Sequence, residues 1–553
     1  MPSLVAFSQP LGRRKAKHLL RRACFNFSPE KINEFSALTP SQALWALSAP
    51  SSPKLYEPID PRGQDWDDMH WTSSINLPGD FTRQGAKRVS ISGWWWYNAF
   101  NEVSLEHKLT LFLHTCFTTS KDSGTGASTY FYDHLRLLQK HAFGNLKSLA
   151  NKITIDNAML FYLDNNVNNR WNPNENYARE FLELFTILKG EQKGDGDYTN
   201  FKEHDVQMAA QVFSGFKNKN DRSIIDADTG LPMGYINANH HVQDDKTFSS
   251  AFGNTTILGG TDSSSILKEH EDFVDMVFSQ EATAISYIRK MYRFFLKSEW
   301  SESVETDIIL PLSQDLRDNG FQLLPVLKKL LESEHFYDED DSNNTDHKIG
   351  AIIKHPMQLW TEIISAFKVD LVDANDQEKW EEYYHYFFKN FAHNSCFIAA
   401  GFNMFAPDSV AGYPADYQEP NYDRQWFTSV SIIARYKYID SLLSGKNLIT
   451  GGGKFESIID SVDYVESTIS NPFDATTIVT EIAQYLYPED ISHARIDYFK
   501  EFLTGTLGDV YWTGAWGDYK GGDDTTARIR LNELLKAMVN ACLLYTSPSP
   551  RDS

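Results

Sequence analysis

The chain has 553 residues, 52 Lys and Arg against 74 Asp and Glu for a net charge of −22, 41% hydrophobic and 14% aromatic residues, and 4 Cys. This composition excludes a disordered, collagenous or coiled-coil chain, and a chain of this size buries about three quarters of its unfolded surface. The acidic balance argues against a general nucleic-acid or anionic-membrane binder, which needs clustered Lys and Arg, and so few cysteines cannot form a disulfide framework.

From the N-terminus, Arg13, Arg14, Lys15, Lys17, Arg21 and Arg22 are followed by no uninterrupted apolar stretch. This segment reads as a folded helix rather than an export signal, with a cytoplasmic location by default and export only from a different start. Nowhere does the chain approach the roughly 18 apolar residues of a membrane-spanning helix. Trp94-Trp95-Trp96-Tyr97 spreads rings around a helical turn, which predicts at least one ring at a surface or groove. Core packing is the ordinary reading of such a run, and stacking on a sugar or peptide the functional one.

Residues 108–117 form the next predicted helix, with apolar Leu109, Leu111, Phe112 and Leu113 around His114. His114 and Cys116 point about 200° apart on a helix, so they cannot easily share one metal there. Further helices are predicted over 128–141, 174–188, 203–216, 281–296, 322–336 and 531–540. Asn200 and Glu203 are the expected capping box for the 203 helix, and Asn319-Gly320 the expected break between two helices.

The 174–188 helix has two faces. Tyr177, Ala178, Phe181, Leu182, Leu184, Phe185 and Leu188 fill one arc; Glu175, Asn176, Arg179, Glu180 and Glu183 fill the other. Spacings of four place Arg179 between Glu175 and Glu183. On a solvated face such pairs are worth under about 1 kcal/mol. Lining a cleft, Arg179 would instead hold the carboxylates ionised as bases or metal ligands.

Residues 190–260 are rich in Gly, Asn and Asp, and a loop that long is functional or a small subdomain. It carries His240, His241 and Asp244, candidate ligands for a divalent metal. The acidic run 338–341 reads as a solvated loop. The 406–425 stretch, with Pro407, Gly412, Pro414 and Pro420, must be a loop, and Gly451-Gly452-Gly453 a linker. Cys542 to Ser553 resembles one reading frame of a transposase sequencing adapter and is set apart from the fold. The expected organisation is a helical domain over 1–445, a helical segment over 446–541 and an extraneous tail over 542–553. The sequence has no G-x-S-x-G, G-x-x-x-x-G-K-[ST], H-E-x-x-H or C-x-x-C motif.

Several segments together resemble a bacterial family, Domain of Unknown Function 1800. They are His18-Leu19-Leu20-Arg21-Arg22-Ala23-Cys24-Phe25, the 108–117 helix, and Asn174-Glu175-Asn176-Tyr177-Ala178-Arg179-Glu180-Phe181-Leu182-Glu183-Leu184-Phe185. Ser214-Gly215-Phe216, His240-His241 with Lys246-Thr247-Phe248, and Ala406-Pro407-Asp408-Ser409-Val410-Ala411-Gly412-Tyr413-Pro414 follow in order. The resemblance implies a largely helical fold with no established activity. It also implies a gene neighbour of family 1501, whose members look like exported relatives of the sulfatase and phosphatase superfamily. This chain departs from the family pattern at Cys116, where a second His is usual, and at Phe216 and Tyr413, where Trp is usual.

The expected fold is mainly α, a large multi-helix domain with two long Gly/Pro-rich loops and little β. Two function classes are expected. In the first, a hydrolase-like enzyme acts on an extracellular polymer or its fragments. Glu175, Arg179, Glu180, Glu183 and His114 line its cleft, the His240 and Pro407 loops roof it, and His240, His241 and Asp244 hold any metal. In the second, the protein is a non-catalytic partner of the family 1501 neighbour.

Overall fold

Most of the chain folds as helices, because its apolar residues recur at helical spacing and the strand-forming alternation is scarce. The computed structural model describes residues 2–49, 53, 57–59, 83–338, 352–444, 458–541 and 544–547. Among these, strands occur only as four short antiparallel pairs. Three of the pairs lie in the 190–260 stretch: Gln192–Gly194 with Asp197–Tyr198, Phe216–Lys217 with Tyr235–Ile236, and Lys246–Thr247 with Thr256–Ile257. The long loop is therefore a small hairpin subdomain wrapped around the Glu203–Val212 helix.

Two hydrophobic cores hold the helices. The first joins Gly12–Ala23, Leu105–Cys116, the Tyr177 helix and Glu281–Phe295. The second joins Gln84–Asn101, Pro356–Ala366, the aromatic helix Glu382–Phe397 and the helices from Ser461 to Val539. The C-terminal segment thus shares its core with residues near 90 and 360 instead of forming its own. Leu544 and Tyr545, in the segment set apart as adapter-like, are buried in this core, and Thr546–Ser547 pairs with Ile352–Ile353.

Some expectations change here for physical reasons. Trp94, Trp95, Trp96 and Tyr97 are all buried, because their helix is covered on every side. Trp95 packs on Phe25 and Phe405, Trp96 on Trp360 and Phe388, and Tyr97 on Tyr383. Asn200 does not cap the Glu203 helix; its amide donates to the carbonyls of Ile187 and Leu188, closing the helix before it. Asp205 instead accepts the Lys202 N–H at 2.8 Å. Asp338 is buried, and the rest of the 338–341 run and the 451–453 glycines lie outside the described residues. The basic N-terminal helix is inside as well. Arg21 meets Glu362 at 3.2 Å and Lys17 donates to the carbonyls of Gln484 and Tyr487.

Candidate functional site

The 174–188 stretch is not one continuous α-helix. Asn176–Glu180 is α-helical and Phe181–Phe185 is a π turn, in which each carbonyl waits for a donor one residue further on. Thr186 Oγ1 donates to the Phe181 carbonyl at 2.6 Å. The facing helix Glu281–Phe295 supplies the other donors: Lys290 Nζ to the Leu184 carbonyl at 2.5 Å, Tyr287 Oη to that of Phe185 at 2.7 Å, and Ser286 to that of Thr186. Such π turns are frequent at functional sites.

This seam is the floor of a cleft of about 640 Å³. Thr115 and Cys116 at the end of the Leu105–Cys116 helix, Leu184 and Phe185 of the π turn, and Arg289, Lys290 and Arg293 line one side. Trp300 and the Pro-rich loop, through Asp416, Tyr417, Glu419 and Tyr422, line the other. The guanidinium of Arg293 lies over the rings of Tyr422, at 4.3 Å, and Trp300, at 5.3 Å. Tyr422 Oη donates to Glu419 Oε1 at 2.6 Å, and Arg289 pairs with Glu305 at 2.7 Å. Burial holds the Lys290 ammonium below the ordinary lysine range. It also pushes the Cys116 thiol up to about 11, so that side chain is a neutral wall and not a nucleophile at neutral pH. The Asp416 carboxyl is pushed up to about 7 by burial, against the pull of Arg293. A carboxyl of this kind in an aromatic cleft is suited to acid–base work near neutrality.

The residues expected to form one site divide into three separate groups. In the first, Arg179 holds Glu203 bidentately, Glu175 at 2.9 Å and Glu183 at 3.6 Å, while Lys189 meets Glu183 at 2.8 Å. These ion pairs tie the Asn176 helix to the Glu203 helix and to the turn after it. Arg179 does not hold Glu180 in the ordinary carboxylate range. Burial and the neighbouring Glu183 charge raise it, outweighing Lys189 and Arg179.

In the second group, His114 is fully buried and is not among the residues that line the cleft. Its ring lies 5.1 Å from Phe405 and 6.4 Å from His134, and His134 Nδ1 pairs with Asp156 at 2.9 Å. Burial first, then His134, holds His114 down to about 3, so it is neutral and no proton carrier near pH 7.

The third group holds His241, whose ring nitrogens are both engaged. Nδ1 meets the Ser214 carbonyl at 2.8 Å and Nε2 meets Glu269 at 2.9 Å, while Lys246 reaches the other Glu269 oxygen at 2.7 Å. His240 rests on Trp171 at 5.3 Å, and Asp244 is exposed. Among the described residues, no three His, Cys, Asp or Glu side chains are grouped as a metal centre requires. Gly215 makes the third group feasible: its φ is +83°, and a Cβ there would stand 2.8 Å from the Asn237 carbonyl and 3.0 Å from the His241 nitrogen.

Lys290, Arg293, Trp300 and Asp416 were not singled out by the sequence pattern. The signal was present: two cations three apart on an otherwise well-packed helix, and an acid two residues after Gly412-Tyr413-Pro414.

Fold and cleft together define a mainly α-helical protein with a polar-and-aromatic cleft built between two helices and a Pro-rich loop. By its sequence the chain belongs to the family described as Protein of unknown function (DUF1800), whose model matches residues 18–511. No curated protein matches the chain, and no solved structure does.

Proposed function

We propose that the protein is a hydrolase-like enzyme whose reaction takes place in the 640 Å³ cleft, with Asp416 as its acid–base group. The observation that carries this reading is a carboxyl raised to about 7 beside Arg293 in that cleft. Water adds to the electrophilic centre of the substrate, the bond to the leaving group breaks, and Asp416 carries the proton from the water to the leaving group. Trp300, Tyr417 and Tyr422 offer ring faces for the body of the substrate, which favours ring-bearing fragments of a polymer over the polymer itself. The Arg179, Glu175 and Glu183 pairs and His114 act as braces beneath the site.

The test is turnover of chromogenic aryl glycosides, esters, phosphates and sulfates by the full chain. Asp416→Asn is expected to lose turnover at least 100-fold with an unchanged melting temperature. Full activity in that variant would reject the assignment.

A second reading, a non-catalytic partner of the family 1501 protein, is favoured by one surface. Val430, 71% exposed, and Ile433, 56% exposed, lie three apart on the outside of the Ser429–Ser444 helix, beyond the loop that closes the cleft. Under this reading the two proteins co-purify, and a Val430→Glu, Ile433→Glu double variant separates them. A complex that survives both changes removes that surface as the contact.

A further inference from the structure

Behind the cleft lies a smaller chamber of about 90 Å³, and Arg293 and Asp416 line both. Its other walls carry Arg21, Arg22, Lys108 and Lys354, and its only further carboxylate among the described lining residues is Asp423. Asp423 is already committed, since one oxygen accepts the Ile353 N–H at 2.7 Å and the other the Ser298 hydroxyl at 2.6 Å. Arg21 and Lys354 share a single carboxylate, Glu362, at 3.2 and 2.6 Å.

Two further cations have no such partner. Among the described residues no carboxylate lies within ion-pair distance of Lys108, whose ammonium meets the neutral Gln358 amide oxygen at 2.5 Å and the Phe25 ring at 4.2 Å. Arg293 also has no carboxylate within ion-pair distance among the described residues; it is engaged by the rings of Tyr422 and Trp300 and by the Tyr422 hydroxyl, and feels the Glu419 and Asp416 charges from farther off. Buried charges are normally paired, because desolvation is costly without a counter-charge. Burial holds the Lys108 ammonium down to about 7, with Arg22 adding to the lowering and the Glu362 charge opposing it.

We propose that this chamber binds a tetrahedral oxyanion, a phosphate or sulfate group, carried by the ligand whose body fills the cleft. The volume suits one such group and is too small for a nucleotide. The cations come from four separate elements: Arg22 from Gly12–Ala23, Lys108 from Leu105–Cys116, Arg293 from Glu281–Phe295, and Lys354 just beyond Ile352–Ile353. Groups arriving from several directions match a tetrahedral anion better than a planar carboxylate, which a single Arg fork would clasp. The substrate class is therefore a phosphorylated or sulfated ring-bearing fragment, an inference that rests on the cleft being the ligand site.

The test is calorimetric titration of the full chain with inorganic phosphate, sulfate and acetate in chloride buffer at constant ionic strength. Phosphate, sulfate or both are expected to bind saturably at one site, with acetate at least tenfold weaker. Lys108→Met is expected to weaken the tetrahedral anion at least tenfold and Lys108→Arg to restore it to within about threefold. Arg293→Gln serves the same purpose should the Met variant not fold. Absence of saturable binding, acetate bound as tightly, or equal affinity across the variants overturns the inference. None of these outcomes depends on Asp416, so loss of the enzymatic reading through Asp416→Asn and loss of the anion site are separately visible.

Discussion

Asp416 sits mostly buried at the junction of cleft and chamber, and its raised carboxyl has a consequence for stability as well as chemistry. Its folded-state value of about 7 exceeds the ordinary 3.8, so between roughly pH 4 and 7 the folded protein holds a proton that the unfolded chain has released. Stability from this residue is therefore greatest below pH 4 and falls as pH rises to 7. Denaturant midpoints of wild type and Asp416→Asn are expected to differ most in slope across that window; parallel curves would show that Asp416 ionises normally. Glu269 is a buried carboxylate serving three partners, His241, Lys246 and the Gly260 N–H. Glu269→Ala strands Lys246 and His241 in the interior and is expected to cost about 3–5 kcal/mol in equilibrium unfolding. A cost under about 1 kcal/mol would mean that solvent reaches the pair.

The element that matters most is the Asn176 helix with its π turn, and its two faces carry unequal weight. On the polar face Arg179 and its partners Glu175 and Glu203 are about a third exposed. Arg179→Ala is expected to cost only about 1 kcal/mol, read by thermal or chemical denaturation, and to leave oxyanion binding intact. On the buried face Tyr287 satisfies a carbonyl that the π turn leaves open. Tyr287→Phe strands that carbonyl and is expected to cost about 1–3 kcal/mol and to loosen the cleft floor. The helical pattern of this segment was legible from its apolar arc. Its π turn was not, because the extra residue per turn is imposed by donors on another helix a hundred residues away. The Asn200 misassignment has the same origin: the side chain could cap either neighbouring helix end, and only the fold brings Ile187 and Leu188 within its reach.

At the scale of the whole molecule, buried lysines set a second pH dependence. Lys17 and Lys108, both lowered to about 7 chiefly by burial, hold fewer protons in the folded state between roughly pH 7 and 10.5 than in the unfolded chain. Their contribution makes stability rise with pH across that window. In phosphate- and sulfate-free buffer, Lys108→Met is expected to flatten the rise between pH 7 and 9; an unchanged slope would place the effect elsewhere.

Family membership and the mainly helical class were fixed by sequence alone, because local periodicity and an ordered set of motifs act over short range, whereas the stretch read as a 406–425 loop also holds the short helices Pro414–Tyr417 and Tyr422–Trp426. The tertiary structure decided what the motif residues do. Arg179, His114 and His241 share a family pattern, yet they fall into three separate clusters, while the cleft draws on Cys116, Lys290, Arg293, Trp300 and Asp416 from three distant segments. Periodicity tells which side of a helix is buried. Which polar group faces another across the interior depends on how helices far apart in the chain pack together, and that is where the cleft and its cationic chamber arise.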